Sequence, residues 1–180
     1  MLPVETKRHR VNMISALNSQ GKVRFMIYRD TMNQQRLIRF MERLVRGSER
    51  KVFLILDNLK VHHGKLVAAW LEKHKDKIEV FFLPPYAPEY NPDEYLNHAL
   101  KLSVHSGKLP YTSDDIDHKI QSFMRKLQHH PNAVSNFFLH SSLSYLLPRK
   151  QYSQFCGACD ARYHPGERLQ PEHPSLCGFF

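Results

Sequence analysis

Residues 51–57, KVFLILD, constrain the fold more than any other stretch: five apolar residues in succession run directly into an aspartate. So short a continuous apolar run is the pattern of a strand covered on both faces, as parallel strands in α/β sheets are. Behind it, Leu66, Val67, Trp70 and Leu71 recur at helical spacing, and EKHKDK makes a charged exit. IEVFFLPP (78–85) then predicts a second buried strand, closed by a proline pair. Strand, helix and strand in this order make a βαβ unit, so a right-handed crossover and a parallel pair are expected.

The flanks extend this α/β pattern. RHRVNMISALNSQGKVRFMIYR (8–29) alternates on both sides of NSQG and predicts a β-hairpin. In TMNQQRLIRFMERLVRGSER (31–50), Leu37, Ile38, Met41, Leu44 and Val45 form a helical stripe that Gly47 stops, with Arg36, Arg39, Arg43 and Arg46 on the wet side. NPDEYLNHALKL opens a helix with Asn91 as N-cap, Pro92 at the first helical position and acids in the first turn. The next helix runs from about Ser113 to His129, with Thr112 and Asp115 spaced as a capping box, and PNAVSNFFLH predicts a shorter one. After Pro148 periodicity gives way to Pro, Gly, Cys and His, which divides the chain into a domain over 1–147 and an irregular tail over 148–180.

A chain of 180 residues that is 42% hydrophobic and 24% charged is globular in composition, and no apolar run approaches a membrane span. MLPVETKRHR has no apolar segment behind its basic residues, so the cytoplasm, in association with the nucleoid, is the expected location. The formal net charge of +9 points to a polyanion partner, because cations that neutralise phosphates release condensed counterions. All three cysteines, Cys156, Cys159 and Cys177, lie in the tail. With His173 they approximate zinc-ligand spacing, but Pro171 and Pro174 break the helix a zinc finger needs, which argues against zinc there.

Ligands of open α/β sheets sit beyond the carboxyl ends of the strands, where Asp57 falls. A carboxylate so placed can hold a hard divalent cation. Glu94, the first glutamate of the helix after the second strand, is the natural second ligand. Each acid also has a purely structural reading: Asp57 and Asn58 as a strand-ending turn, Glu94 as part of a capping box with Asn91. Lys60, His62, His63 and Lys65 follow Asp57 closely enough to reach a DNA phosphate, and Lys7, Arg8 and Arg10 add to a basic face.

LILDNLKVHH and FFLPPYAPEYNPDE together resemble the catalytic core of the IS630/Tc1/mariner group of DDE transposases, the IS630 branch most closely, over about Arg8 to Tyr145. The resemblance implies an RNase H-like fold, a mixed sheet flanked by helices, in which three carboxylates bind two Mg²⁺ or Mn²⁺ ions for DNA strand cleavage and transfer in transposition. Carried across, Asp57 is the second acid and Glu94 the third, with Asp93 the neighbour that competes for the assignment. The first acid belongs on a strand ahead of the hairpin, and neither Glu5 nor Asp30 sits on a strand of that kind. The expectation is therefore an N-terminally truncated domain without its first strand, marginally folded and unable to cut DNA. The alternative is a non-catalytic DNA-binding remnant, inert or interfering with a full-length transposase by pairing with it; self-association is a further expected contact.

Overall fold

The computed structural model describes residues 11–84, 88–107, 110, 112–139 and 143. Strand β1 (Asn12–Leu17) and strand β2 (Val23–Tyr28) form the expected antiparallel hairpin, with Ser15 opposite Phe25. Its turn closes through Asn18, which accepts the Gly21 N–H on its carbonyl at 3.0 Å and the Lys22 N–H on its side chain at 2.9 Å. Gly21 sits at φ +86°, and a Cβ there would lie 2.4 Å from the carbonyl oxygen of Pro131. Glycine is required at this turn on both counts.

Helix α1 (Gln34–Arg46) begins at Asn33, whose side chain accepts the Arg36 N–H, and ends at Gly47. It buries Leu37, Phe40 and Met41, while Arg39, Arg43 and Arg46 face water and Arg36 pairs with Asp30. Strand β3 (Val52–Leu56), helix α2 (Lys65–Lys73) and strand β4 (Ile78–Phe82) make the βαβ unit, with β3 and β4 parallel and Val52 opposite Ile78. Helix α3 (Pro92–His105) has Asn91 as its N-cap, and helix α4 (Ser113–His129) starts on a complete Thr112–Asp115 capping box. Helix α5 (Pro131–Ser135) and a 3₁₀ turn over Asn136–Phe138 follow.

Two cores lie on opposite sides of the strands. Ile14 and Ala16 of β1 and Val52, Leu54 and Leu56 of β3 pack with Leu37, Phe40 and Met41 of α1 and Val67 of α2. Leu17, Val23 and Ile55 pack with Leu96 and Leu100 of α3, Ile120, Met124 and Leu127 of α4, and Val134 of α5. Each core draws on both the hairpin and the parallel pair, so the strands form a layer between two groups of helices.

Three expectations change. The strands described form two separate two-stranded ladders rather than one mixed sheet, because side-chain burial, not a hydrogen-bonded ladder, links the hairpin to the parallel pair. Strand β4 is not covered on both faces: Ile78 is buried, whereas Phe81 and Phe82 are exposed, since neither core takes in either phenylalanine. On α2 only Val67 is fully buried, and Leu66 faces solvent. The domain boundary near residue 147 and the tail with Cys156, Cys159, His173 and Cys177 lie outside the described residues. No described helix is long and apolar enough to cross a membrane.

Candidate functional site

The amide of Leu83 donates to the Leu56 carbonyl at 2.8 Å, so the parallel ladder holds to the last residue of β3 and Asp57 is the first to leave it. Its side chain is 42% exposed, yet one carboxylate oxygen, Oδ1, is buried and has no hydrogen-bond partner. The 3₁₀ turn over Lys60–His63 folds back beneath it and buries His62. His62 Nδ1 lies 2.7 Å from the main-chain carbonyl oxygen of Asp57 and 3.1 Å from Oδ1. A carbonyl can only accept, so Nδ1 carries the proton and donates it there, and a single N–H on the shorter bond leaves Oδ1 without a donor. His63 meets Asn58 Oδ1 at 2.5 Å, and its ring centre lies 4.4 Å from that of Phe82.

The second group of acids opens α3. Asn91 accepts the Asp93 N–H at 3.0 Å, and the helix then turns Asp93 inward and Glu94 to solvent. Asp93 is only 7% exposed. Ser15 Oγ of β1 donates to its Oδ1 at 2.5 Å, and Asn97 Nδ2, one turn on, donates to Oδ2 at 3.0 Å. Burial pushes the Asp93 carboxyl up from 3.8 to about 7, against the two hydrogen bonds, which favour the ionised form; the negative charges of Glu94 and Asp57 push it further up. The charges of both other acids thus bear on Asp93.

Lys60, His63 and Lys65 are exposed after β3. His62, expected beside them, is buried and turned on Asp57, because the 3₁₀ turn rotates it under the strand end. Asp30 is exposed and bonded to Arg36. Glu5, Lys7, Arg8 and Arg10 lie outside the described residues. Sequence reading missed the Ser15–Asp93 bond. The one local signal was Asn97, four residues beyond Asp93 and on the same helix face.

A buried carboxylate oxygen without a donor suits a cation, and an all-oxygen set suits a hard one such as Mg²⁺ or Mn²⁺. Among the described residues, however, no group of three or more His, Cys, Asp or Glu is set closely enough to hold a metal ion. Asp57 Oδ1 is thus an oxygen of the right kind for such an ion, while both oxygens of Asp93 are already taken by Ser15 and Asn97.

No curated protein matches the chain. The family model described as DDE superfamily endonuclease matches residues 2–117, a span that includes both strand pairs, Asp57, Asp93 and Glu94. With more than half of its length matched, the chain belongs to the DDE superfamily endonuclease family.

Proposed function

We propose that the chain is the catalytic domain of an IS630-type transposase, acting on DNA, in which Asp57 and Glu94 hold Mg²⁺ or Mn²⁺. The observation that carries this reading is the buried, donorless Oδ1 of Asp57 at the end of β3. A carboxylate oxygen turned away from water with no N–H or O–H aimed at it leaves its lone pairs free for a divalent cation. Support for an RNase H-like arrangement comes from the two ladders, which share both cores but no hydrogen bonds, since that arrangement has a strand position between the hairpin and the parallel pair.

Metal held there supplies Lewis acidity at phosphorus and a more acidic bound water. The protein's own part is positional. Asp57 offers Oδ1 while His62 grips its carbonyl, and the Ser15–Asp93–Asn97 bonds tie β1 to the first turn of α3, which presents Glu94. Calorimetric and spin-resonance titration of the purified chain with Mn²⁺ tests the reading. Binding at least tenfold weaker in both Asp57→Asn and Glu94→Gln is the expected result, on the scale of lost metal-site contacts; unchanged binding in Asp57→Asn refutes it. The net charge of +9 equally suits a DNA-binding domain that does not cut. Mn²⁺-dependent nicking of supercoiled DNA, abolished by Asp57→Asn, separates the two.

A further inference from the structure

The geometry points to a DNA-backbone groove on the outer side of the hairpin, formed by β2, α1 and α4, with Arg24, Arg43, Arg125 and Lys126 as its phosphate contacts. This rests on DNA being the partner, and adds where the duplex lies.

Two adjoining hollows make up the groove. One, of about 460 Å³, lies between β2, α1 and α4 and includes Arg24, Phe25, Arg43 and Arg125 in its walls. The other, of about 550 Å³, runs along α4 past Arg125, Lys126 and three histidines, His118, His129 and His130. Gln121 and Arg125 belong to both, so the two are continuous. No aspartate or glutamate lines either hollow.

Exposed cations without an ion pair also occur elsewhere, Arg50, Lys73, Lys77 and Lys101 among them, but here four line one continuous hollow whose walls hold no acid. Arg29 pairs with Asp114 and Asp117, Arg36 with Asp30, Lys51 with Glu79 and Lys75 with Glu72. Among the described residues, none of the four groove cations takes part in an ion pair, and all four are exposed. The Arg24 guanidinium reaches the carboxyl end of α1, where its Nη2 would lie 3.0 Å from a Cβ on Gly47, beside the carbonyl of Arg43. Like charges gathered without a counter-ion repel one another, and a bound anion relieves that repulsion.

Length decides which anion. From His118 to His129 the α4 stripe rises about 16 Å at ~1.5 Å per residue, long enough to follow about five phosphates of one strand at ~3.4 Å of axis each. A single small anion would engage only one or two of these residues. The groove also adjoins the acids. Phe25 in its wall is the cross-strand partner of Ser15, which donates to Asp93, so strand β1 alone stands between the groove wall and Asp93 along this path.

The test is binding of a fluorescent random-sequence duplex, about 20 base pairs long, to the full chain between 50 and 200 mM salt. Four phosphate contacts give a log–log slope near −3.6, so the wild type loses roughly 100-fold in affinity over that range. The fourfold Gln variant of Arg24, Arg43, Arg125 and Lys126 should lose most of this slope. A control in which Arg50, Lys73, Lys77 and Lys101, all exposed and outside the groove, become Gln carries the same charge change and should keep it. Thermal unfolding confirms that both variants fold. Equal loss in the two variants means that net charge alone binds DNA and overturns the groove, as does a wild type that fails to bind at 50 mM. Neither result touches the metal reading, which the DNA-free Mn²⁺ titration decides separately.

Discussion

Replacing Asp93 by Asn isolates the energetic consequence of burying a carboxyl between β1 and α3. In the folded chain burial raises this group from 3.8 to about 7, so the folded state holds the proton more tightly than the unfolded one. Between those two values unfolding releases a proton, and stability therefore falls as pH rises from about 4 to about 7 and is level above. A shift of about three units at roughly 1.4 kcal/mol each amounts to about 4 kcal/mol of stability absent at pH 8. Asparagine carries no charge to desolvate and can still accept from Ser15, but its amide cannot accept from Asn97, a loss of about 1 kcal/mol. Asp93→Asn is thus expected to be about 1 kcal/mol less stable than wild type at pH 4 and about 3 kcal/mol more stable at pH 8. For a chain of this length the latter is a rise in Tm of roughly 6–12 °C. Circular-dichroism melts of both proteins from pH 4 to pH 8 measure the difference, in which the other titrating groups largely cancel. A difference that does not change with pH refutes the reasoning. Under the proposed metal reading, Mn²⁺ at pH 8 favours the ionised Asp93 and shrinks the gap between the two proteins.

Two further substitutions probe positions where geometry makes the demand. His62→Asn keeps an N–H where Nδ1–H meets the Asp57 carbonyl and should retain Mn²⁺ binding, whereas His62→Leu keeps bulk without a donor and should weaken it about tenfold by spin-resonance titration; equal binding by the Leu variant and wild type denies His62 a positioning role. Gly21→Ala places a methyl group against Pro131 at φ +86°, and should cost roughly 2–5 kcal/mol in urea unfolding, from a strained backbone and overpacking together; a cost under about 1 kcal/mol contradicts the hairpin-to-α5 contact.

What could be read along the chain was local. The hairpin around NSQG, the N-caps at Asn91 and Thr112, and the βαβ unit with Asp57 at the end of its first strand each depend on residues a few positions apart, so periodicity and capping chemistry announce them. The position of Asp57 at the end of a buried strand follows from the same local pattern.

Other features depend on elements far apart in the chain. Ser15 and Asp93 are 78 residues apart, and only the packing of β1 against α3 makes one the donor of the other. The exposure of Phe81 and Phe82 depends on what packs over the end of β4, and apolar runs look alike whether one face or two are covered. The groove joins Arg24, Arg43 and Arg125 from three elements, each of which alone shows an ordinary wet face. The sequence by itself determined the elements, their caps and the acid at the strand end, because hydrogen bonding and apolar spacing act between near neighbours. Tertiary structure alone decided which carboxyl is buried, which is exposed and where the unpaired cations gather, because desolvation and charge depend on what folds against a residue rather than on what precedes it.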